Sequence, residues 1–392
     1  MGAVHSVVVS TNFPTDSTVW AASSAAGALR STDGGVSFAS KTSGLRETDI
    51  RQIGLSPDML VSPVILAGRA SGGVSRSPDR GTTWWNAVHG LAGSRIAGIG
   101  FSSAFGSDQI VLAGGTNAVQ RSVDGGLLFE ELSSVPPSRN VTAFAASPAT
   151  ASDASSLVAI GTQGLYRTFT DGLWWVEANT GLSDVLRANV RVIAYAPDYA
   201  TSFNLLVGGA GGVARSVNGG HTWTDVSATF GLADLQVTAL VYDSPSVVYA
   251  STTAGGVYRS NDGGSTWTAL NAGLGTTLVW DVAASGATVL AATPLGIYRS
   301  TDGAATWTLS DLTANLAQVA TSPNFPSDGV AFAASGSHAW ISTDAGATWA
   351  LLGANVVGAA ITVIEFSPDF ANDRNVYVGT QDSGIWVYTV PA

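Results

Sequence analysis

The sequence predicts an all-β fold, a single β-propeller of nine units, and three observations carry that reading. An octet of the form Ser-x-Asp-x-Gly-x-Thr-Trp recurs along the chain. Its third positions, residues 33, 79, 124, 170, 218, 262, 302 and 344, stand 40 to 48 residues apart, which suits four short strands and their turns. Each octet follows apolar runs with the period of strands rather than the 3.6-residue spacing of helices. A β-solenoid repeats over roughly 20–30 residues, so the period also argues against that architecture.

Composition sets the frame. The 392 residues are 45% hydrophobic and 11% charged, enough to bury a large core and too apolar for a disordered chain. The repeat runs from residue 5 to the end with no intervening linker, so one domain is expected. No apolar run reaches the length of a membrane helix, and Met1 to Ser10 lacks the basic and apolar segments of a signal peptide. The compartment is left open. A secreted or periplasmic location is slightly favoured, any export signal being absent from this stretch. With no cysteine there is no disulfide, thiol nucleophile or thiolate metal site. A net charge of -11 opposes nucleic-acid and anionic-membrane partners, which favour basic faces. The sixteen arginines against the single Lys41, with abundant Ala and Gly, fit a GC-rich bacterial coding sequence. No cofactor is implied, and a monomer is expected.

Within a unit the strands are read in order. In the sixth they are 237–242, 246–250, 256–260 and 266–270, with the octet as the turn between the last two. The octet acid accepts hydrogen bonds from following backbone N–H groups, Gly supplies a positive φ, and Trp buries its ring between neighbouring units. The structural acids are Asp33, Asp79, Asp124, Asp262, Asp302 and Asp344, with Asn218 in the fifth unit. The fourth octet is degenerate, with Thr168 and Thr170 at the Ser and Asp positions and Asp171 next. Units are placed at about 1–45, 46–90, 91–135, 136–182, 183–232, 233–274, 275–312, 313–354 and 355–392. The ninth has three strands, at 360–366, 376–380 and 384–390, and no octet. Since the first unit is complete, the ring would close by side-chain packing, and the alternative count is eight.

These octets resemble Asp boxes, the bacterial neuraminidase repeat. Asp boxes occur in sialidases, sortilin-type receptors, two-propeller xyloglucan hydrolases and photosystem II assembly factors, and the resemblance covers nearly the whole chain. It implies the propeller and says little of activity, because such different families share it. Sialidases imply three substrate-binding arginines, a Tyr–Glu pair, an Asp acid and an early Phe/Tyr-Arg-Ile-Pro segment. That segment is missing, and none of the five glutamates is tied by spacing to a tyrosine.

Candidate functional residues fall on two sets of positions. An arginine precedes the octet Ser in seven units, Arg30, Arg76, Arg121, Arg167, Arg215, Arg259 and Arg299, with Ile341 and Val387 in the last two. Resemblance to the assembly factors suggests an anion-binding ring; the preferred reading is arginines bonded to carbonyls or acids of the adjoining unit. Propeller ligands sit at the inner mouth, on second-to-third strand turns and on connections to the next unit. There the ligand-binding candidates are Arg51, Arg69, Arg95, Arg139, Arg187, Arg191 and Trp280. Asp49 and Asp281 are weak nominees for a hydrolytic acid pair. Trp84, Trp223, Trp267, Trp307 and Trp349 keep register and read as core; Trp85, Trp174, Trp280 and Trp340 break it and are better placed for exposure, with burial still expected. The four histidines are scattered, so no transition-metal site is expected. Ser367 to Asp373 has the acids of a Ca²⁺ loop or of an ordinary turn, and the turn is preferred. The function expected is a non-catalytic binding or assembly scaffold for an unidentified protein or carbohydrate. The alternative is a glycoside hydrolase using an Asp pair at the mouth.

Overall fold

The computed structural model describes residues 3–57, 59–87, 96–101, 105–115, 119–131, 141–146, 156–160, 163–168, 174–227, 231–232, 236–336, 338–352, 361–367, 370–380 and 385–390. Their strands form antiparallel sheets, each a meander of consecutive strands: eight of four strands and, at the C-terminal end, one of three. The sixth is Val237–Tyr242, Val248–Thr252, Val257–Ser260 and Thr268–Ala269. The ninth is Ile361–Phe366, Asn375–Thr380 and Ile385–Thr389. The first three strands match the sequence reading to within two residues. The fourth is shorter than expected, because the octet Trp lies in the turn and the ladder starts after it.

Burial explains the arrangement within a sheet. Second strands are buried on both faces, as in Val248–Thr252 and Leu205–Gly209, and read as continuous small and β-branched runs. Fourth strands such as Thr268–Ala269 and Thr308–Leu309 are exposed throughout and form an outer rim. First strands touch the first strands of the next sheet, as Val190–Tyr195 touches Val237–Tyr242, so they line the inside. The core is a series of apolar wedges between sheets. Leu206 and Val213 of the fifth sheet pack with Val237, Leu240 and Trp267 of the sixth. Val4–Val9 in turn packs against both Ile361–Phe366 and Asn375–Thr380. There Tyr377 sets its ring edge-on to Phe13 at 6.3 Å and its hydroxyl donates to the Gly34 carbonyl at 3.3 Å.

One network builds each described octet. In the sixth sheet the Ser260 hydroxyl donates to Asp262 Oδ1 at 2.8 Å and accepts the Gly264 N–H at 2.8 Å. Asp262 Oδ1 accepts the Thr266 N–H at 2.8 Å, and Oδ2 accepts the Thr266 hydroxyl at 2.7 Å. Asp33, Asp79, Asp302 and Asp344 repeat this set. Asp124 takes the N–H groups of Leu127 and Leu128, and Asn218 donates its amide to the Thr222 hydroxyl. Asp171 and Thr170 lie outside the described residues.

The repeated arginines join neighbouring sheets. Arg76 Nε donates to the Gly125 carbonyl at 2.6 Å, Arg215 Nε to Gly263 at 2.9 Å and Arg299 Nε to Ala345 at 2.7 Å. Arg30 and Arg259 reach Arg80 and Gly303 through Nη1, each at 3.3 Å. Every acceptor is the fourth residue of the next sheet's octet. Arg167 instead meets His221 Nε2 at 3.0 Å, two residues further along the fifth octet. The eighth sheet carries Ile341 at this position. Across from the first octet, the Tyr377 hydroxyl takes the place of the guanidinium.

Six one-turn helices among the described residues escaped the sequence reading, because a helix of four or five residues leaves no periodic signal. Phe370–Asp373 is one of them. Its Asp373 carboxylate accepts the Ser367 hydroxyl at 2.6 Å and the Asn375 N–H at 3.0 Å, closing a turn. Among the described residues no cluster of His, Cys, Asp or Glu could hold a metal ion.

Candidate functional site

Antiparallel strand order places second-to-third turns and sheet-to-sheet connections at one end of the molecule, and octets and first-to-second turns at the other. The first end is the mouth. In the second sheet, Ile50–Leu55 opens it and Ile50 pairs with Arg69 at the close of the second strand. The first strands of several sheets shift register there, between Val4 and Ser6, Ile50 and Gln52, Val190 and Val192, and Val237 and Ala239. Such a shift leaves one residue out of the ladder and re-aims its side chain. The residues so placed are His5, Arg51, Arg191 and Thr238. Thr238 donates to the Val279 carbonyl of the next sheet at 2.8 Å, whereas Arg191 is exposed.

The nominated residues meet different fates. Arg51 is half-buried and its Nη2 contacts Asp49 Oδ2 at 2.8 Å, so the two form one ion pair. Arg69 is buried, with Nη1 on Asn86 at 3.4 Å; burial lowers its pKa, and it is withdrawn from the mouth. Arg187 lies on the helix Asp184–Ala188 rather than in an open loop, with Nη2 3.2 Å from Asp184. Trp280 is 40% exposed just ahead of Asp281–Ser285. Arg95 and Arg139 lie outside the described residues. The off-register tryptophans correct the expectation of burial: Trp85 and Trp174 are 58% and 60% exposed, and only Trp340 is partly covered, stacked on His338.

Asp49 and Asp281 belong to the second and seventh sheets, and each carboxylate is engaged locally. Asp281 spans two sheets, accepting the Val282 N–H at 2.9 Å and the Val319 N–H of the eighth sheet at 3.1 Å. Burial pushes its carboxyl up to about 6, against the opposing pull of these two N–H groups. Octet carboxylates move the other way. Hydrogen bonds from Ser31 and Ser37 hold Asp33 down to about 2, and bonds from Thr306 and Ser300 hold Asp302 there. At Asp79, Asp124, Asp262 and Asp344 partial burial pulls upward, but the hydrogen bonds outweigh it. With their lone pairs so committed, these acids are poor proton-transfer groups.

Asp281 gives a pH prediction. Its folded pKa exceeds the usual 3.8, so the folded state binds the extra proton. Stability therefore rises as pH falls from above 6 toward 4, and the buried carboxylate is a cost above 6. The Asp281→Asn variant removes that dependence. Between pH 5 and 7.5 the stability difference between wild type and variant is expected to change by on the order of 1 kcal/mol, read by chemical denaturation. Parallel pH profiles would contradict it.

Residues 170–355 match the family model described as the DUF6242 beta propeller domain. Together with the sheets described above, that settles the architecture. The fold is an all-β propeller. Similar solved structures include the computationally designed Ika8, at 15% identity and TM-score 0.56 over 83% of this chain and 93% of that one. Saccharomyces cerevisiae Sqt1 is 12% identical with TM-score 0.59, covering 88% and 96%. YCF48 from Cyanidioschyzon merolae is 17% identical with TM-score 0.48, covering 75% and 94%. At these identities the likeness to Ika8 and Sqt1 speaks to fold alone. No curated protein matches the chain in sequence.

Proposed function

We infer that the chain is a nine-bladed propeller of the Asp-box type, a single domain acting as a monomeric, non-catalytic binding scaffold through its mouth. Nine sheets, and the packing of Val4–Val9 on the ninth, support the blade count and closure by side chains. The octet hydrogen bonds support the Asp-box reading.

One observation carries the functional reading: the mouth presents an exposed indole, Trp280, and an exposed guanidinium, Arg191, while its nominated acids are tied to an arginine or to backbone. A flat aromatic and a forked cation suit a ligand bearing a carboxylate or sulfate, in a peptide or a saccharide. Calorimetric titration with an acidic peptide and a sulfated oligosaccharide tests this. We expect one of them to bind, and Trp280→Ala and Arg191→Glu each to weaken it tenfold or more, with stability unchanged to about 0.5 kcal/mol because both side chains are exposed.

A second reading, glycoside hydrolysis, rests on the Asp281 carboxyl near 6, where a general acid works. Turnover of an aryl glycoside that is abolished by Asp281→Asn would favour it and displace the scaffold reading. Such a site needs a facing carboxyl about 5–9.5 Å away.

A further inference from the structure

The fifth sheet's octet differs from the other described octets at its third residue, which is Asn218 where they have aspartate. Gly219 follows it, and no other asparagine in the chain precedes a glycine. An Asn-Gly step is the one at which an amide is most readily lost. The glycine nitrogen, with no side chain to shield it and a freely turning backbone, attacks the carbonyl carbon of the asparagine side chain.

The folded octet holds both reactants. Asn218 Oδ1 accepts the Ser216 hydroxyl at 2.9 Å and the Thr222 N–H at 3.0 Å, and Nδ2 donates to the Thr222 hydroxyl at 2.9 Å. The amide is thus tied at both ends, although the residue is exposed to water. The attacking nitrogen is engaged as well. Gly219 is buried, and its N–H donates to the Phe203 carbonyl at 3.0 Å. Tyr199 packs so closely that a Cβ on Gly219 would stand 3.0 Å from the phenol oxygen. Closing the imide ring requires the nitrogen to leave Phe203 and the side chain to leave Ser216 and Thr222, so the turn must open first. The other sheets show where an aspartate would settle. There the second carboxylate oxygen accepts a hydroxyl, from Thr266 at 2.7 Å, Thr306 at 2.6 Å or Thr348 at 2.6 Å. At 218 the same bond needs only the Thr222 hydroxyl to turn from accepting to donating.

We propose that Asn218–Gly219 is a self-modification site gated by the fold, with water as its co-reactant and opening of the fifth octet as its trigger. In the opened turn the Gly219 nitrogen bonds to Asn218 Cγ, the Cγ–Nδ2 bond breaks and ammonia departs, while the Gly219 proton passes to solvent. Water then opens the imide. Attack at Cγ breaks the new bond and leaves aspartate, which refolds into a complete octet. Attack at the main-chain carbonyl leaves isoaspartate, whose main chain runs through Cγ and no longer matches the turn. Each opening of this sheet boundary therefore carries a chance of a permanent change, from a neutral octet to an anionic or a broken one. The site is distinct from the mouth and does not depend on it.

The test incubates the whole chain in mildly alkaline buffer, folded or unfolded in guanidinium chloride. The proteolytic fragment containing residue 218 is followed by mass spectrometry, with chromatography separating aspartate from isoaspartate. Conversion is expected in both states and tenfold or more slower in the folded chain, because only the opened fraction reacts. Trp223→Ala should raise the folded-state rate several-fold. That indole is 5% exposed and its Nε1 donates to the Ala178 carbonyl at 2.7 Å, which holds the octet to the fourth sheet. Trp85→Ala, on the outer rim, should leave the rate unchanged. Asn218→Asp should unfold at a denaturant concentration no lower than wild type. Equal rates in the two states, no conversion in the unfolded chain, or a rate that a folded Trp223→Ala variant leaves unmoved overturns the gated site. A destabilised Asn218→Asp variant overturns the return to a complete octet.

Discussion

Trp307→Ala is expected to destabilise the protein by about 3–5 kcal/mol, the usual cost of removing a large ring from a packed interior. The indole is 4% exposed and crosses from the octet of the seventh sheet to the end of the sixth. Its Nε1 donates to the Leu270 carbonyl at 2.7 Å and its backbone N–H to Ala272 at 2.8 Å. Around it lie Tyr249, Val257, Val282 and Val289, drawn from both sheets, so truncation opens a void that neither sheet can close alone. It also leaves the Leu270 carbonyl without its indole donor. Trp85→Ala is the control. That indole stands on the outer rim, 58% exposed, and its loss should cost about 0.5 kcal/mol or less. Urea unfolding followed by circular dichroism separates the two. A cost below about 1 kcal/mol for Trp307→Ala would mean that the octet indoles are not the wedges between sheets.

The same contrast marks what was legible in the sequence. Register decides most of the tryptophans: the in-register Trp84, Trp223, Trp267 and Trp307 are buried, Trp349 is only partly buried against the expectation of core, and the off-register Trp85, Trp174 and Trp280 came out on the surface. Strand order and the three-stranded ninth sheet were legible for a similar reason, since each repeat records its own turn chemistry at a fixed offset. The mouth was not. Arg51 and Arg191 owe their direction to a register shift of the ladder, and nothing in Ile50-Arg51-Gln52 announces one. Arg69 looks like a loop arginine, yet it sits on the second strand and folds back onto Asn86. Asp49 and Asp281 read alike as acids near the first strand. They differ because one has Arg51 two residues on, while the other accepts an N–H from residue 319 of the next sheet. The arginine repeat lay between. Its spacing was visible, but that each guanidinium serves the neighbouring sheet's octet emerges only when the sheets are set side by side.

Gly81→Ala should cost about 3 kcal/mol or more, and the chain contains the comparison that isolates the cause. A Cβ on Gly81 would stand 2.0 Å from the end of the Trp20 indole. Trp20 is wholly buried and set edge-on to Trp84 at 6.2 Å, so it cannot swing aside without breaking the boundary between the first two sheets. The backbone is also left-handed there, with φ 76. Left-handed geometry by itself is tolerated, since Ala304 holds the same octet position in the seventh sheet at φ 72, packed in the cluster that contains Tyr249. The clash therefore dominates, and the penalty should scale with the rigidity of the opposing side chain. At Gly264 the nearest atom is a Leu206 methyl carbon at 2.7 Å, which a rotamer change can move, so Gly264→Ala should cost roughly half as much. Measuring both by urea unfolding tests the ordering. Equal losses would assign the penalty to φ instead, and would leave the stability of the Ala304 octet without an explanation.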